Sequence, residues 1–162
     1  MKIIVLYGTT EGQTRKIAEF VAKHLRDLGD AVTLTDATGD ASTVDVRDFD
    51  AAIVAASLHA GQYQGPAVHF ARANHAWLNL MPSAFLSVSL SAAGTDPEDL
   101  KGIADCAERF KAETKWTTPE VHHVAGAFRF TEYDFFKRWV MKLIAWEKSV
   151  TVEPGKDLEL TN

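Results

Sequence analysis

The sequence predicts a doubly wound α/β domain, five parallel strands alternating with amphipathic helices. Three observations carry this reading. Short apolar runs of strand length alternate with longer segments whose apolar residues recur every three or four positions. The short runs are continuously apolar, as strands covered on both faces are. Regular alternation of strand and helix demands right-handed crossovers, hence a parallel sheet with helices on both faces.

The elements follow in order along the chain. Ile3 to Tyr7 is the first strand. Gly12 to Leu28 is a helix whose Ile17, Phe20, Val21, His24, Leu25 and Leu28 share one face, ended by Gly29. Ala31 to Thr35 is a short second strand and Asp50 to Ala56 a buried third. Pro66 to Leu80 reads as one helix with proline in its first turn. Ser83 to Leu90 is the fourth strand, and Pro97 to Ala112 the third helix, with Asp96 as its cap. Glu120 to Ala127 is the fifth strand and Asp134 to Lys148 the fourth helix. From Thr151 to Asn162 no further helical pattern follows, so the final helix expected over the first strand is absent from the pattern. Residues 1–162 read as a single domain.

Composition removes several classes of function. Lys and Arg number 17 against 22 Asp and Glu, a net charge of -5. A general nucleic-acid binder needs surplus cations to neutralise phosphates, so none is expected. A single cysteine, Cys106, excludes an internal disulfide, a cysteine-based zinc site and a cysteine-ligated iron–sulfur cluster. Cys106 reads as a small buried hydrophobe within its helix. His122 and His123 point to opposite faces of a strand, and His69 and His75 lie six apart, so no metal site is expected. No apolar segment approaches the ~20 residues of a membrane-spanning helix. The expected location is the cytoplasm.

Sheets of this kind bind ligands at the carboxyl ends of their strands, so the loops there matter most. The first reads Gly8-Thr9-Thr10-Glu11-Gly12-Gln13-Thr14. Hydroxyls crowd a helix N-terminus, where free N–H groups and the positive end of the helix dipole favour an anion. No Gly-Lys-Ser/Thr is present, so this is not a Walker A loop, and no G-x-G-x-x-G, so the dinucleotide fingerprint is missing. Asp36 is accordingly read as surface. A terminal phosphate monoester held by hydroxyls and N–H groups remains. The second loop, Ser57 to Tyr63, offers donors from Ser57, a tight turn at Gly61 and two rings, His59 and Tyr63. The third, Ser89 to Asp96, is built of small residues and Leu90. A last feature is the stretch 128–146, which combines many aromatics with Arg129, Lys137, Arg138 and Lys142 in an otherwise acidic chain.

The loop Thr9-Thr10-Glu11-Gly12-Gln13-Thr14 is similar to the flavodoxin phosphate loop, Ser/Thr-x-Thr-Gly-x-Thr, with Glu11 where that pattern prefers threonine. The Gly-Gln-Thr variant resembles a narrower branch, the menaquinone-dependent protoporphyrinogen IX dehydrogenases. Ala56-Ser57-Leu58-His59-Ala60-Gly61-Gln62-Tyr63, Met81 to Leu90 and Ala125-Gly126-Ala127 carry the same resemblance along essentially the whole chain.

The resemblance implies a flavodoxin-like fold that binds FMN. It implies phosphate contact by Thr9, Thr10, Glu11, Gly12, Gln13 and Thr14. It implies flavin-ring contact by Ser57, Leu58, His59, Ala60, Gly61, Gln62 and Tyr63, and by Ser89, Leu90 and Ser91. The third loop lacks the stacking tyrosine of many flavodoxins, which leaves one flavin face more open, as a hydride acceptor needs. The implied reaction is oxidation of protoporphyrinogen IX to protoporphyrin IX in heme biosynthesis, with electrons passed to a quinone. Arg129 and Tyr133 are the expected porphyrinogen contacts, because an apolar plate edged with arginine suits a porphyrin bearing propionates. The stretch 128–146 also suits peripheral contact with the inner face of the cell membrane. No catalytic residue is nominated. Two alternatives stay open: an NAD(P)H-linked flavin or quinone reductase, and a flavodoxin-type electron carrier.

Overall fold

Ile3, Ile4, Val5 and Leu6 have no exposed surface, because the strand that carries them lies inside the sheet, with a neighbour on either side and cover on both faces. The computed structural model describes residues 1–8, 12–39, 44–89, 96–118, 120–125, 141 and 145. In chain order these form β1 (Lys2–Gly8), α1 (Gln13–Asp27), β2 (Ala31–Asp36), a single 3₁₀ turn at Val46–Asp48, β3 (Ala51–His59), β4 (Gln62–Tyr63), α2 (Gly65–Ala73), α3 (His75–Leu80), β5 (Ser83–Ser89), α4 (Pro97–Thr114) and β6 (Val121–Ala125). The chain divides into two compact units, Met1–Phe128 and Arg129–Asn162. The first carries all of these elements; in the second, Met141 and Ala145 are helical and exposed. The expected fourth helix, Asp134 to Lys148, otherwise lies outside the described residues.

The sheet order is β2-β1-β3-β5-β6, every pair parallel, as the alternation of elements requires. A sixth strand departs from the expected five: β4 pairs antiparallel with the end of β3. α1 packs its Ile17, Ala18, Val21, Ala22 and Leu25 stripe on one face. It ends at Gly29, whose φ of 99 lets Asp30 N donate back to the Leu25 carbonyl. The opposite face holds the main core: Leu6, Val54 and Phe85 of the sheet against Phe70 of α2, Leu78 of α3 and Phe110 of α4. Phe85 and Phe110 stack at 4.2 Å, and Trp116 meets both edge-on at 5.9 and 6.1 Å. Each such pair adds ~0.5–1.5 kcal/mol beyond its buried area.

Local chemistry sets the boundaries. Asp96 caps α4 by accepting from Glu98 N at 2.9 Å, with Pro97 in the first turn, as the sequence indicates. The single helix expected over Pro66 to Leu80 is instead two. At Asn74 the backbone leaves the helical region (φ -116, ψ 13), and its side-chain amide donates to the Phe70 carbonyl at 2.9 Å. A side chain competing for a helical carbonyl in this way interrupts the helix, and α3 starts anew at His75. The third strand also runs past its expected end at Ala56 to His59, because β4 returns to pair with it.

Candidate functional site

From β1 the chain turns to β2 on one side, then crosses to β3 on the other. The strand order therefore reverses between β1 and β3, and the crevice at their carboxyl ends is the place for a ligand in such a sheet. Register places Gly8 beside Ala56, Ser57 beside Val88, and Ser89 beside Ala125. The strand ends carrying Gly8, Ser57 and Ser89 thus form one edge, with the N-terminus of α1 following directly from β1. Gly8 itself admits no larger residue without movement: an added Cβ would lie 3.0 Å from Gln64 Cβ and 3.3 Å from Ala67 Cβ.

The α1 N-terminus is built to receive an anion. Gly12 adopts the left-handed conformation (φ 86) as N-cap, no side chain of the described residues caps the helix, and its first turn has no acidic residue. Space around Gly12 is open, so conformation alone favours glycine there. Leading N–H groups of a helix have no intrahelical acceptor. Thr14 has no exposed surface, and its Oγ1 has no hydrogen-bond partner among the described residues. Arg15 turns along the helix to Glu19 at 2.8 Å. Gln13 is exposed. Thr9, Thr10 and Glu11 lie outside the described residues.

The second expected loop is a β-hairpin. Leu58 pairs with Tyr63 and His59 with Gln62, and Ala60 (φ 51) and Gly61 (φ 79) both take positive φ at the two-residue turn. That is the primed turn whose twist matches paired strands. His59, Ala60, Gly61 and Gln62 are exposed at the tip, while Ser57 and Leu58 are half-buried. Ser57 Oγ accepts from Gln64 Nε2 at 3.5 Å.

Tyr63 is turned inward. Its ring meets Phe85 and Phe110 edge-on at 5.0 and 5.3 Å, and its hydroxyl shares a 2.7 Å hydrogen bond with the fully buried Ser87. Burial pushes the phenol pKa up to about 12, against a smaller lowering by the Ser87 bond. The two aromatics of the hairpin therefore occupy different surroundings, His59 at the solvent tip and Tyr63 in the core cluster. At the end of β5, Ser89 is buried and its Oγ also lacks a partner among the described residues. Leu90 and Ser91 lie outside the described residues, as do Arg129 and Tyr133.

Sequence reasoning passed over Ser87, Gln64 and the role of Gly8. Ser87 sits two residues before Ser89 on the same strand, so a buried polar residue repeating at the strand period was the available signal. Among the described residues no cluster of three metal-ligating side chains occurs, and no helix is long and apolar enough to cross a membrane.

Residues 4–153 match the family model described as Flavodoxin domain. Over 162 residues the chain is 30% identical to Protoporphyrinogen IX dehydrogenase [quinone] of Escherichia coli (strain K12), covering 100% of this chain and 88% of that protein. It is 28% identical to the protein of the same name from Leishmania major over 94% of this chain and 67% of that one. Among solved structures it superposes on a Streptococcus pneumoniae TIGR4 flavodoxin with TM-score 0.67 and 23% identity, covering 90% of this chain and 99% of that one. It also superposes on rubredoxin oxygen:oxidoreductase from Desulfovibrio gigas with TM-score 0.66 and 16% identity, covering 93% of this chain and 37% of that one.

FMN is the cofactor implied by this match. The residues present fit it: two buried hydroxyls without partners among the described residues, Thr14 Oγ1 and Ser89 Oγ, stand at the carboxyl edge beside a helix N-terminus whose cap residue is a glycine. A strand order of 2-1-3-5-6 with the small β4 hairpin set aside, a match over residues 4–153 and identity along the full chain agree, and the chain belongs to the flavodoxin-domain family.

Proposed function

We propose that the chain, an oxidoreductase of the flavodoxin family, oxidises protoporphyrinogen IX to protoporphyrin IX and passes the electrons to a quinone. The observation that carries this reading is 30% identity over the full chain to the dehydrogenase of that name. Bound FMN would supply the two-electron acceptor. The chain's own part is to hold and orient it. Thr14 and the first N–H groups of α1, with Thr9, Thr10, Glu11, Gly12 and Gln13, are read as the phosphate cradle. Ser57 to Tyr63 and Ser89 to Ser91 are read as the ring contacts, with Tyr63 anchoring its hairpin from inside through Ser87. Arg129 and Tyr133 are read as porphyrinogen contacts, and the stretch 128–146 as the part that meets the membrane surface where a lipid quinone resides. Residues 1–162 are read as one functional domain.

Anaerobic mixing tests the reading. Protoporphyrinogen IX should bleach the flavin absorbance of the purified FMN protein, and a menaquinone analogue should restore it. Reduction by NADPH but not by protoporphyrinogen would instead identify an NAD(P)H-linked reductase. A stabilised one-electron state on titration, with no reduction by either, would identify an electron carrier, the alternative that the likeness to flavodoxin structures keeps in view.

A further inference from the structure

Gln64 stands between the two ends of the FMN crevice. Its Cβ lies 3.0 Å, and its Cγ 3.5 Å, from the position that a Cβ on Gly8 would occupy. Gly8 ends β1 and opens the segment read as the phosphate cradle. At its other end the side chain reaches Ser57: Gln64 Nε2 donates to Ser57 Oγ at 3.5 Å. Ser57 opens the segment read as ring contacts. One side chain thus spans from the end of β1 toward the end of β3, the strands between which the sheet order reverses.

The helix that follows does not account for a glutamine here. Gln64 is the N-cap of α2, where Ser, Thr, Asp and Asn are favoured because their short side chains reach the first N–H groups. The Gln64 side chain makes no such bond among the described residues. The main chain serves the helix instead, since the Gln64 carbonyl accepts from Ala67 N and Val68 N, each at 3.1 Å. The residue is half-buried, its apolar stem against Gly8 and its carboxamide beside Ser57. A carboxamide offers two N–H donors and a carbonyl acceptor. Its bond to Ser57 is at the long limit of hydrogen-bond distance, so the group is loosely held and most of its bonding capacity is unused among the described residues.

FMN has a ring, a phosphate and a ribityl chain of hydroxyls that joins them. The ring and the phosphate have loops assigned to them above, and the ribityl chain has none. Hydroxyls both donate and accept, as a carboxamide does, and Gln64 lies between the two assigned loops. We propose that Gln64 is a further FMN-binding residue, whose carboxamide receives the ribityl hydroxyls. The role rests on the reading of Thr14 and Ser57 as the phosphate and ring ends of the site, and not on the porphyrinogen reading.

Three flavins separate the parts of the cofactor. Lumiflavin is the ring alone, riboflavin adds the ribityl chain, and FMN adds the phosphate. Each is titrated into the full chain freed of bound flavin, with quenching of flavin fluorescence as the readout. The parent should bind riboflavin more tightly than lumiflavin. Gln64→Met keeps the length and the apolar stem and removes the carboxamide. It should weaken riboflavin and FMN equally, by about tenfold, as expected for the loss of one hydrogen bond, and leave lumiflavin at the parental affinity. Gln64→Ala, which cannot crowd Gly8, should give the same pattern. Retained lumiflavin binding shows in both variants that the crevice is intact. Equal weakening of all three flavins would make Gln64 a support for the ring loop and overturn the proposal. Unaltered riboflavin affinity in both variants, a loss confined to FMN, or a parent that gains nothing from the ribityl chain would overturn it as well. The phosphate end is tested separately by Thr14→Val, which should affect FMN and not riboflavin, so the two assignments fail independently.

Discussion

Replacing Thr14 with valine should strengthen the cofactor-free protein and weaken its hold on FMN. Thr14 has no exposed surface, and its Oγ1 has no partner among the described residues. An unpaired buried hydroxyl costs about 1–3 kcal/mol, because its hydrogen bonds to water are lost on folding and nothing replaces them. Valine keeps the branched shape and removes the polar atom. In phosphate-free buffer, urea unfolding of the FMN-free variant should show a gain of about 1 kcal/mol. With FMN the sign reverses. A hydrogen bond to a charged phosphate oxygen contributes about 1.5–3 kcal/mol, so FMN affinity should fall roughly ten- to a hundredfold. Riboflavin, which lacks the phosphate, should bind the variant as it binds the parent. Quenching of flavin fluorescence reads both affinities. Equal losses for FMN and riboflavin, together with a destabilised FMN-free chain, would refute the reasoning: Thr14 would then be a packing residue whose hydroxyl serves the fold.

Three further outcomes follow from the geometry. Tyr63→Phe leaves Ser87 Oγ buried without its 2.7 Å partner and should cost about 1–2 kcal/mol at neutral pH. The phenol is held protonated in the folded state, its pKa raised from 10.0 to about 12, so the stability it contributes is complete below pH 10 and is lost as pH rises through about 12. Allowing for its partial exposure, that loss is at most about 2 kcal/mol, and denaturant curves between pH 9 and 12 should show it in the parent and not in the variant. Ala60→Gly relieves a non-glycine residue at φ 51 and should raise the unfolding midpoint by the equivalent of about 0.5–1 kcal/mol; a fall would mean the Ala60 methyl makes contacts that outweigh the strain. Trp116→Phe removes a fully buried indole that donates to Ser83 Oγ at 2.9 Å, and a loss of about 2–3 kcal/mol is expected in the same assay; a loss under half of that would show that the core closes over the gap.

Much of the architecture is readable from the chain alone, because its signals are local. Ile3 to Tyr7 is apolar without alternation, which only a strand covered on both faces requires, and that strand proves to be an interior one, between β2 and β3. The Ile17, Val21 and Leu25 stripe of α1, the Asp96 cap with Pro97, and Gly29 as a stop each depend on residues close in sequence, whereas Leu28, expected on the same stripe, is exposed because it lies at the end of the helix. The Gly12 position is local too, since its φ of 86 is a property of one residue. Membership of the flavodoxin-domain family agrees with the resemblance carried by the first loop.

Other features depend on residues far apart in sequence, and no local pattern encodes them. Tyr63 reads as a loop aromatic; only the approach of β5 and α4 supplies Ser87, Phe85 and Phe110, on which its hydroxyl and ring edges rest. The split of α2 from α3 turns on one competing amide at Asn74, which a helical periodicity spanning Pro66 to Leu80 conceals. Cys106 reads as core from its helix position, yet its Sγ lies 3.6 Å from the Gly61 carbonyl of the hairpin, 45 residues away in sequence. The cleft between α2 and α4, bordered by Arg72 and Arg109, exists because two helix faces, each with ordinary spacing, are brought opposite one another by the order of the strands between them. Periodicity determines which face of a helix turns inward, whereas what that face meets is decided by chain topology, and so the composition of every site shared between elements belongs to the tertiary structure.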